Sequence, residues 1–400
     1  MKIVYMTYGI HYSGGMERVL SVKANYFAEV LEYEVYIVIT DGKGRSPFFK
    51  FSDKIQIIDL GINYRDLVGM NPLKKCIPYF LKKLRHQRKL SRLLNEIKPD
   101  ISISMFQYEA SVLHKIKDGS KKIIESHFCR AVDLLRNKEK HGISKYIAKY
   151  LFKKNSKIAS RYDCLVTLTE DDLRLYDDVK SVRCIPNPLT ITPPTYVLRN
   201  SPASTESAHD CVEADFPRDR KNTNILLAIG RISYQKGFDN LVKIWADIEK
   251  EFPNWELHIY GSHEDRPYYE YIQSMIQESK LNRIFIFNPT DNIEKVYEKS
   301  DLLAVTSNYE GFNLSIIEGM SYGLPVVSFD CPCGPGEILR GHDCGVLIAP
   351  GDNRAFANAL RGFMSNSELR KRYSDKAYVR AKDFSIDNIM GKWITLFREL

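Results

Sequence analysis

Residues 301–329 read DLLAVTSNYEGFNLSIIEGMSYGLPVVSF. Leu302 to Val305 is a short apolar run, suited to a strand buried on both faces. Ser307 and Asn308 open a turn, and Gly311 lets the backbone approach a neighbour closely. From Asn313 onward Leu314, Ile317 and Met320 recur at helical spacing, and Gly323 ahead of Pro325 stops the helix. Pro325-Val326-Val327 begins a second strand. The free N–H groups of such a helix N-terminus point into the crevice beyond the strand's carboxyl end, where an anion such as phosphate is favoured. Glu310 is out of keeping with an anion site, and Glu318 follows eight residues later within the helix. Two carboxylates beside a phosphate suit the hydroxyls of a sugar. Taken alone, the pair reads equally well as two solvated charges, so the rest of the chain must decide.

Upstream, Asn224 to Ile229 reads as a strand that leads into Gly230-Arg231 and Lys236-Gly237, then a helix over Leu241 to Ile248. A guanidinium fork and an ammonium flanking a glycine turn can together neutralise a diphosphate. Trp255 to Tyr260 and Ile284 to Phe287 are further strands, and Gly351-Asp352 starts a late helix. The chain opens in the same way. Lys2 to Met6 is a strand, Ser13-Gly14-Gly15 leads into a helix, and Glu34 to Thr40 is a second strand ending at Asp41. Asp41 sits where a dinucleotide fold holds its ribose-binding acid. The spacing Gly9…Gly14-Gly15 is not G-x-G-x-x-G, however, and gives a nicotinamide or flavin site little support. Asp100 to Met105, Lys122 to Glu125, Cys164 to Thr169 and Val182 to Ile185 complete a first set of strands. His127 follows one of them directly, at the crevice.

Four hundred residues exceed the size of one core, and Pro186-Asn187-Pro188 is the natural hinge between two. Residues 1–186 form a first domain, 187–223 a hinge and irregular insert rich in Pro, Ser, Thr and Asp, and 224–384 a second domain. A C-terminal helix at about 385–400 is expected to pack back on the first domain. Residues 1–185 carry 34 Lys and Arg against 21 Asp and Glu, whereas the remainder carries 24 against 29. Two stretches, Lys74–Lys98 and Arg136–Arg161, each hold nine basic residues and one acid, interleaved with aliphatic and aromatic residues. That pattern suits an anionic membrane surface. Nucleic acid is the rival partner, but no recognition motif is present. The opening strand leaves no room for a signal peptide, and no apolar run reaches the roughly 18 residues of a spanning helix. A cytoplasmic protein, peripheral at the inner face of the membrane, is expected. Eight irregularly spaced cysteines suit a reducing compartment. Cys331, Cys333, His342 and Cys344 have metal-ligand chemistry, but Cys331-Pro332-Cys333-Gly334-Pro335-Gly336 reads as a turn.

Together, Gly230-Arg231…Lys236-Gly237, Gly261, Glu310-Gly311-Phe312…Glu318-Gly319-Met320 and Gly323-Leu324-Pro325-Val326-Val327 resemble the retaining glycosyltransferases of the large family four. Ser13 to Val19 looks like that family's N-terminal glycine loop, and Ile185-Pro186-Asn187-Pro188 like its interdomain junction. The likeness spans nearly the whole chain. It implies a GT-B architecture: two α/β, Rossmann-like, doubly wound domains facing across a cleft. By the same resemblance Glu310 contacts the donor sugar hydroxyls, and the backbone amides of Gly311, Phe312, Asn313 and Leu314 hold sugar and phosphate. Glu318 takes the ribose, Arg231 and Lys236 the leaving diphosphate, and Gly14 and Gly15 lie close to the phosphates. His127 sits near the reacting carbon. No metal or other cofactor is implied. The activity implied is transfer, with retention, of a hexose or N-acetylhexosamine from a UDP-linked donor to a lipid-linked or saccharide acceptor. Alternatives on the same scaffold are a nucleotide-sugar epimerase, a phosphorylase or a non-catalytic sugar-binding partner. Two features depart from the family. The 189–223 insert is long, and Phe287-Asn288-Pro289 stands where a glycine is common in the base-binding loop.

Overall fold

The computed structural model describes residues 1–130, 142–192 and 223–400. Most of the expected insert (193–222) and the start of the second basic stretch (136–141) lie outside the described residues. The rest forms two parallel sheets. The first contains β1 (Lys2–Thr7), β2 (Glu34–Ile39), β3 (Gln56–Asp59), β4 (Ile101–Ser104), β5 (Lys121–Glu125), β6 (Cys164–Thr167) and β7 (Val182–Cys184), in the order β3-β2-β1-β4-β5-β6-β7. The second contains β8 (Asn224–Ile229), β9 (Trp255–Tyr260), β10 (Ile284–Phe287), β11 (Leu302–Val305), β12 (Val326–Phe329) and β13 (Gly345–Ile348), in the order β10-β9-β8-β11-β12-β13. Strands such as β4, β6, β11 and β12 are buried at every position, as near-continuous Ile, Leu and Val runs require when helices cover both faces. Chain order reverses between β1 and β4 in one sheet and between β8 and β11 in the other. These are the points where doubly wound sheets open a crevice at the strands' carboxyl ends. The architecture is GT-B, two Rossmann-like domains whose crevices face each other.

The polypeptide passes between the domains twice. At the first crossing the Leu189 N–H donates to the Phe384 carbonyl at 2.8 Å, which ties the outgoing segment to the returning one. Beyond the second crossing, helix Ile386–Glu399 presents Ile389, Met390, Trp393, Leu396 and Phe397 to the core of the first domain, beside Ile3, Tyr5 and Phe27. Its cap is Ser385, which accepts from the Asn388 N–H.

One buried acid sets a pH dependence in the first domain. Glu109 follows β4 and is 1% exposed. Its Oε1 accepts from Ser104 Oγ and the Gln107 N–H, both at 2.9 Å, while Oε2 has no partner. Burial lifts its carboxyl from the ordinary 4.5 to about 7. A carboxyl raised in the folded state disfavours folding once it must ionise. Stability is therefore lost as pH rises from about 4.5 to about 7, by about 3 kcal/mol at one pKa unit per 1.36 kcal/mol. Glu109→Gln is expected to remove that decline, so its melting temperature gains on the wild type at pH 8 and not at pH 4.5.

Candidate active site

The second domain holds its functional loops through backbone contact. Gly237 ends the loop after β8 with φ +61°, and a Cβ there would lie 2.2 Å from the Thr306 carbonyl oxygen. Only glycine fits. The loop after β11 is fastened to the same place, the Asn308 N–H donating to the Gln235 carbonyl at 2.8 Å. The result brings Lys236 to Glu310: Nζ lies 2.6 Å from Oε1. Ser307 Oγ donates to the same oxygen at 2.6 Å and Asn313 Nδ2 at 3.2 Å. Glu310 is only 5% exposed. A carboxylate so deep is met by a cation and two neutral donors, and no such set surrounds a solvated helix charge.

Helix Leu314–Ser321 begins directly after, with Asn313 as its cap residue. Glu318 is 4% exposed, well away from solvent. Tyr297 OH donates to its Oε2 at 2.8 Å, and Thr190, just past the hinge, donates to Oε1. Arg18 of the first domain reaches across, its Nη1 3.4 Å from the same Oε1. The two glutamates are thus separate anchoring points. Phe312 turns its ring into the core against Phe384, with centroids 5.7 Å apart, so only its backbone faces the cleft.

The first domain supplies the opposite wall. A Cβ on Gly311 would come within 2.3 Å of the His127 carbonyl oxygen, and one on Gly15 within 3.1 Å of Leu314 Cδ1. The glycine loop, the His127 loop and the Glu310 loop therefore meet. Gly14 is the cap residue of helix Gly15–Glu29. The expected residues converge, but His127 is placed differently from a group open to the cleft. Its side chain is 4% exposed and its Nε2 lies 3.3 Å from Glu125 Oε1. Lys23 Nζ meets the same oxygen at 2.5 Å and sits 3.9 Å from the centre of the Trp393 ring. Burial alone would raise the Glu125 carboxyl, but Lys23 and His127 outweigh it and hold it down at about 2. Burial lowers Lys23 in turn, against the pull of Glu125. The pair thus lies directly behind His127.

Arg231 is exposed. It lies near enough to Glu17 to stabilise that carboxylate, as does His127. Glu17 was not among the expected site residues. It is 4% exposed, and burial pushes its carboxyl above the ordinary range. Its proximity to two expected residues was the missing signal.

Two other stretches singled out in the sequence can be placed. Asp41 is 0% exposed, its oxygens taking Thr40 Oγ1 at 2.6 Å and the Arg65 N–H at 2.8 Å, so it serves the fold and presents no accessible acid to a dinucleotide ribose. Cys331, Cys333, His342 and Cys344 do not gather. Among the described residues, the cluster with metal-ligand chemistry is Cys129, Asp172 and Cys333.

Residues 213–380 match the family model of the glycosyl transferases group 1. The domain that carries the two glutamates belongs to that group. The chain is 27% identical over 404 residues to a glycosyltransferase of Haemophilus influenzae, covering 98% of each protein. It is 25% identical over 407 residues to the Campylobacter jejuni GalNAc-alpha-(1->4)-GalNAc-alpha-(1->3)-diNAcBac-PP-undecaprenol alpha-1,4-N-acetyl-D-galactosaminyltransferase, covering 100% of this chain and 99% of that one. Among solved structures, S. aureus TarM in complex with fondaparinux, alpha-GlcNAc-glycerol and UDP superposes with a TM-score of 0.73 at 16% identity, covering 99% of both chains. The protein is an enzyme, a glycosyltransferase.

Proposed function

We propose that this glycosyltransferase moves a hexose or N-acetylhexosamine from a UDP-linked donor to a lipid-linked or saccharide acceptor, with retention of configuration, in the assembly of a surface polysaccharide. The observation that carries this reading is the division of labour between the glutamates: Glu310 is paired with Lys236, and Glu318 is held apart by Tyr297 and Arg18. A diphosphate lying along Arg231, Lys236 and the N-terminus of helix Leu314–Ser321 puts its ribose toward Glu318 and its sugar toward Glu310. Lys236 then stabilises the leaving phosphate through charge already in place. With Glu310 engaged by Lys236, Ser307 and Asn313 rather than set as a nucleophile, the site suits a front-face route in which the leaving phosphate oxygen takes the acceptor's proton. Metal is not needed in this scheme. The C. jejuni relative is named for an undecaprenyl-diphosphate-linked acceptor and TarM was solved with UDP, which supports both halves of the reading.

The first domain, to which this proposal gives the acceptor, gathers aromatic and cationic groups. The His11 and Tyr12 rings are tilted against each other with centroids 3.9 Å apart, Arg65 lies 5.0 Å over the Tyr12 ring, and Arg45 donates to the Asp41 carbonyl. Rings for sugar faces and guanidinium groups for phosphate suit a saccharide on a diphosphate carrier. On the same domain, helix Pro72–Ile97 exposes Ile77, Phe80 and Leu81, and helix Ile143–Ala159 exposes Tyr146, Ile147 and Tyr150. Set among lysines, these faces suit an anionic bilayer, each nearby cation contributing about 1 kcal/mol. Among the described residues no helix is long and apolar enough to cross one.

One experiment tests the whole reading. The full chain is incubated with a panel of nucleotide sugars and a polyprenyl-diphosphate saccharide in anionic vesicles. The expected result is enzyme floating with the vesicles, UDP released and a product with the donor's anomeric configuration. An epimerised donor without acceptor product, or an inverted linkage, contradicts it.

A further inference from the structure

Cys129 and Cys333 come from different domains, 204 residues apart, and meet with their sulfurs 2.6 Å from each other. Both are buried, at 2% and 3% exposure. Neither takes part in the donor site, yet each sits on a loop that does. Cys129 is two residues beyond His127, on the loop whose backbone touches Gly311. Cys333 lies on the loop after β12, where the Pro332 carbonyl accepts from the Glu310 N–H at 3.4 Å. A Cβ on the next residue, Gly334, would lie 2.7 Å from Glu310 Cβ. Cys333 itself has φ +65°, a left-handed conformation that non-glycine residues rarely adopt. Asp172 stands beside the pair, its Oδ1 taking the Arg130 N–H at 2.7 Å and lying 3.8 Å from Cys333 Sγ.

We infer that Cys129 and Cys333 are a modification site, a reversible disulfide that staples the His127 loop to the Glu310 loop and arrests the enzyme with its domains together. The bond forms by thiol–disulfide exchange with a small-molecule disulfide. One cysteine thiolate attacks it, releasing one small thiol and leaving a mixed disulfide. The second cysteine then displaces the other small thiol. Two protein thiols are oxidised, one external disulfide is reduced to two thiols, and the protons pass to those thiols. With the domains together, neither sulfur is reachable, and the contact with Cys129 and burial disfavour a thiolate at Cys333. The exchange therefore begins when the cleft parts and is completed when it closes. Once made, the bond opposes the domain opening that donor entry and nucleotide release need.

The test treats the full chain with oxidised glutathione and maps its peptides without reduction, then measures sugar-nucleotide turnover before and after dithiothreitol. The expected result is a peptide bearing Cys129 joined to one bearing Cys333, with turnover at least tenfold lower and restored by dithiothreitol. Cys129→Ser and Cys333→Ser keep their turnover under oxidant, whereas Cys331→Ser, at the neighbouring buried thiol, responds like the wild type. No joined peptide, or equal sensitivity in Cys129→Ser, overturns the inference. So does an equivalent of zinc in the purified protein that is lost in Cys333→Ser, which would make the cluster a metal site. The peptide map needs no substrate, so its failure is distinct from a failure of the donor assignment.

Discussion

Glu310→Ala is expected to lower kcat/KM by about a thousandfold, most of it in kcat. The carboxylate gathers three donors, Lys236, Ser307 and Asn313, at one oxygen, and its removal disperses all three. The donor sugar then loses the group that fixes its hydroxyls, and Lys236 loses the partner that aims it. Losing one preorganised group in such a site costs about 10²–10³ in rate, and misplacing a second adds to that. Steady-state kinetics with the donor that the panel identifies checks it. Full activity in this variant would show that the two glutamates are structural charges and that the protein's chemistry lies elsewhere.

The second large effect is at the cation. Lys236→Ala is expected to reduce kcat about a hundredfold or more, since the departing diphosphate keeps Arg231 and the helix terminus but loses its nearest ammonium. It also strands Glu310, whose side chain is 6% exposed, without the charge that accompanies it. Removing one partner of a buried ion pair destabilises more than removing both. The melting temperature of Lys236→Ala is therefore expected to fall by several degrees, and the double variant Lys236→Ala/Glu310→Ala to recover part of that fall. In rate, the double variant should lie close to Glu310→Ala alone, because residues acting as a unit are not additive. Independent, additive losses would mean that the 2.6 Å contact plays no part in turnover.

Much of this arrangement was readable in the chain because it is local. Strand, glycine turn and helix follow one another within residues 301–329, and the βα order recurs across both domains. The bounds found for β8, β9, β10 and β11 coincide with apolar runs that turn residues punctuate. The edge strands β3 and β13 were not foreseen; each is four residues long with no fully buried position, so their few aliphatic residues give only a weak signal. What stayed hidden is the long-range pairing. Lys23 reads as one more polar position on an amphipathic helix. It is in fact 1% exposed, bound to Glu125 and covered by Trp393 from the far end of the chain. Arg18 and Glu318 are likewise joined only once two domains face each other. Charge type and helical period say nothing of such partners, since the neighbour that makes burial tolerable is set by topology. The same gap explains His127, whose position after a strand was plain while its Glu125 backing was not.

The central claim is that Glu318 holds the nucleotide and Glu310 the sugar. Calorimetric titration of the wild type, Glu318→Ala and Glu310→Ala, each with UDP and with the UDP-sugar, tests it most directly. Hydrogen bonds to a charged group contribute about 1.5–3 kcal/mol, so Glu318→Ala is predicted to bind UDP at least tenfold more weakly. Glu310→Ala is predicted to bind UDP like the wild type while losing the added affinity for the sugar-bearing ligand. Undiminished UDP binding by Glu318→Ala would contradict the account.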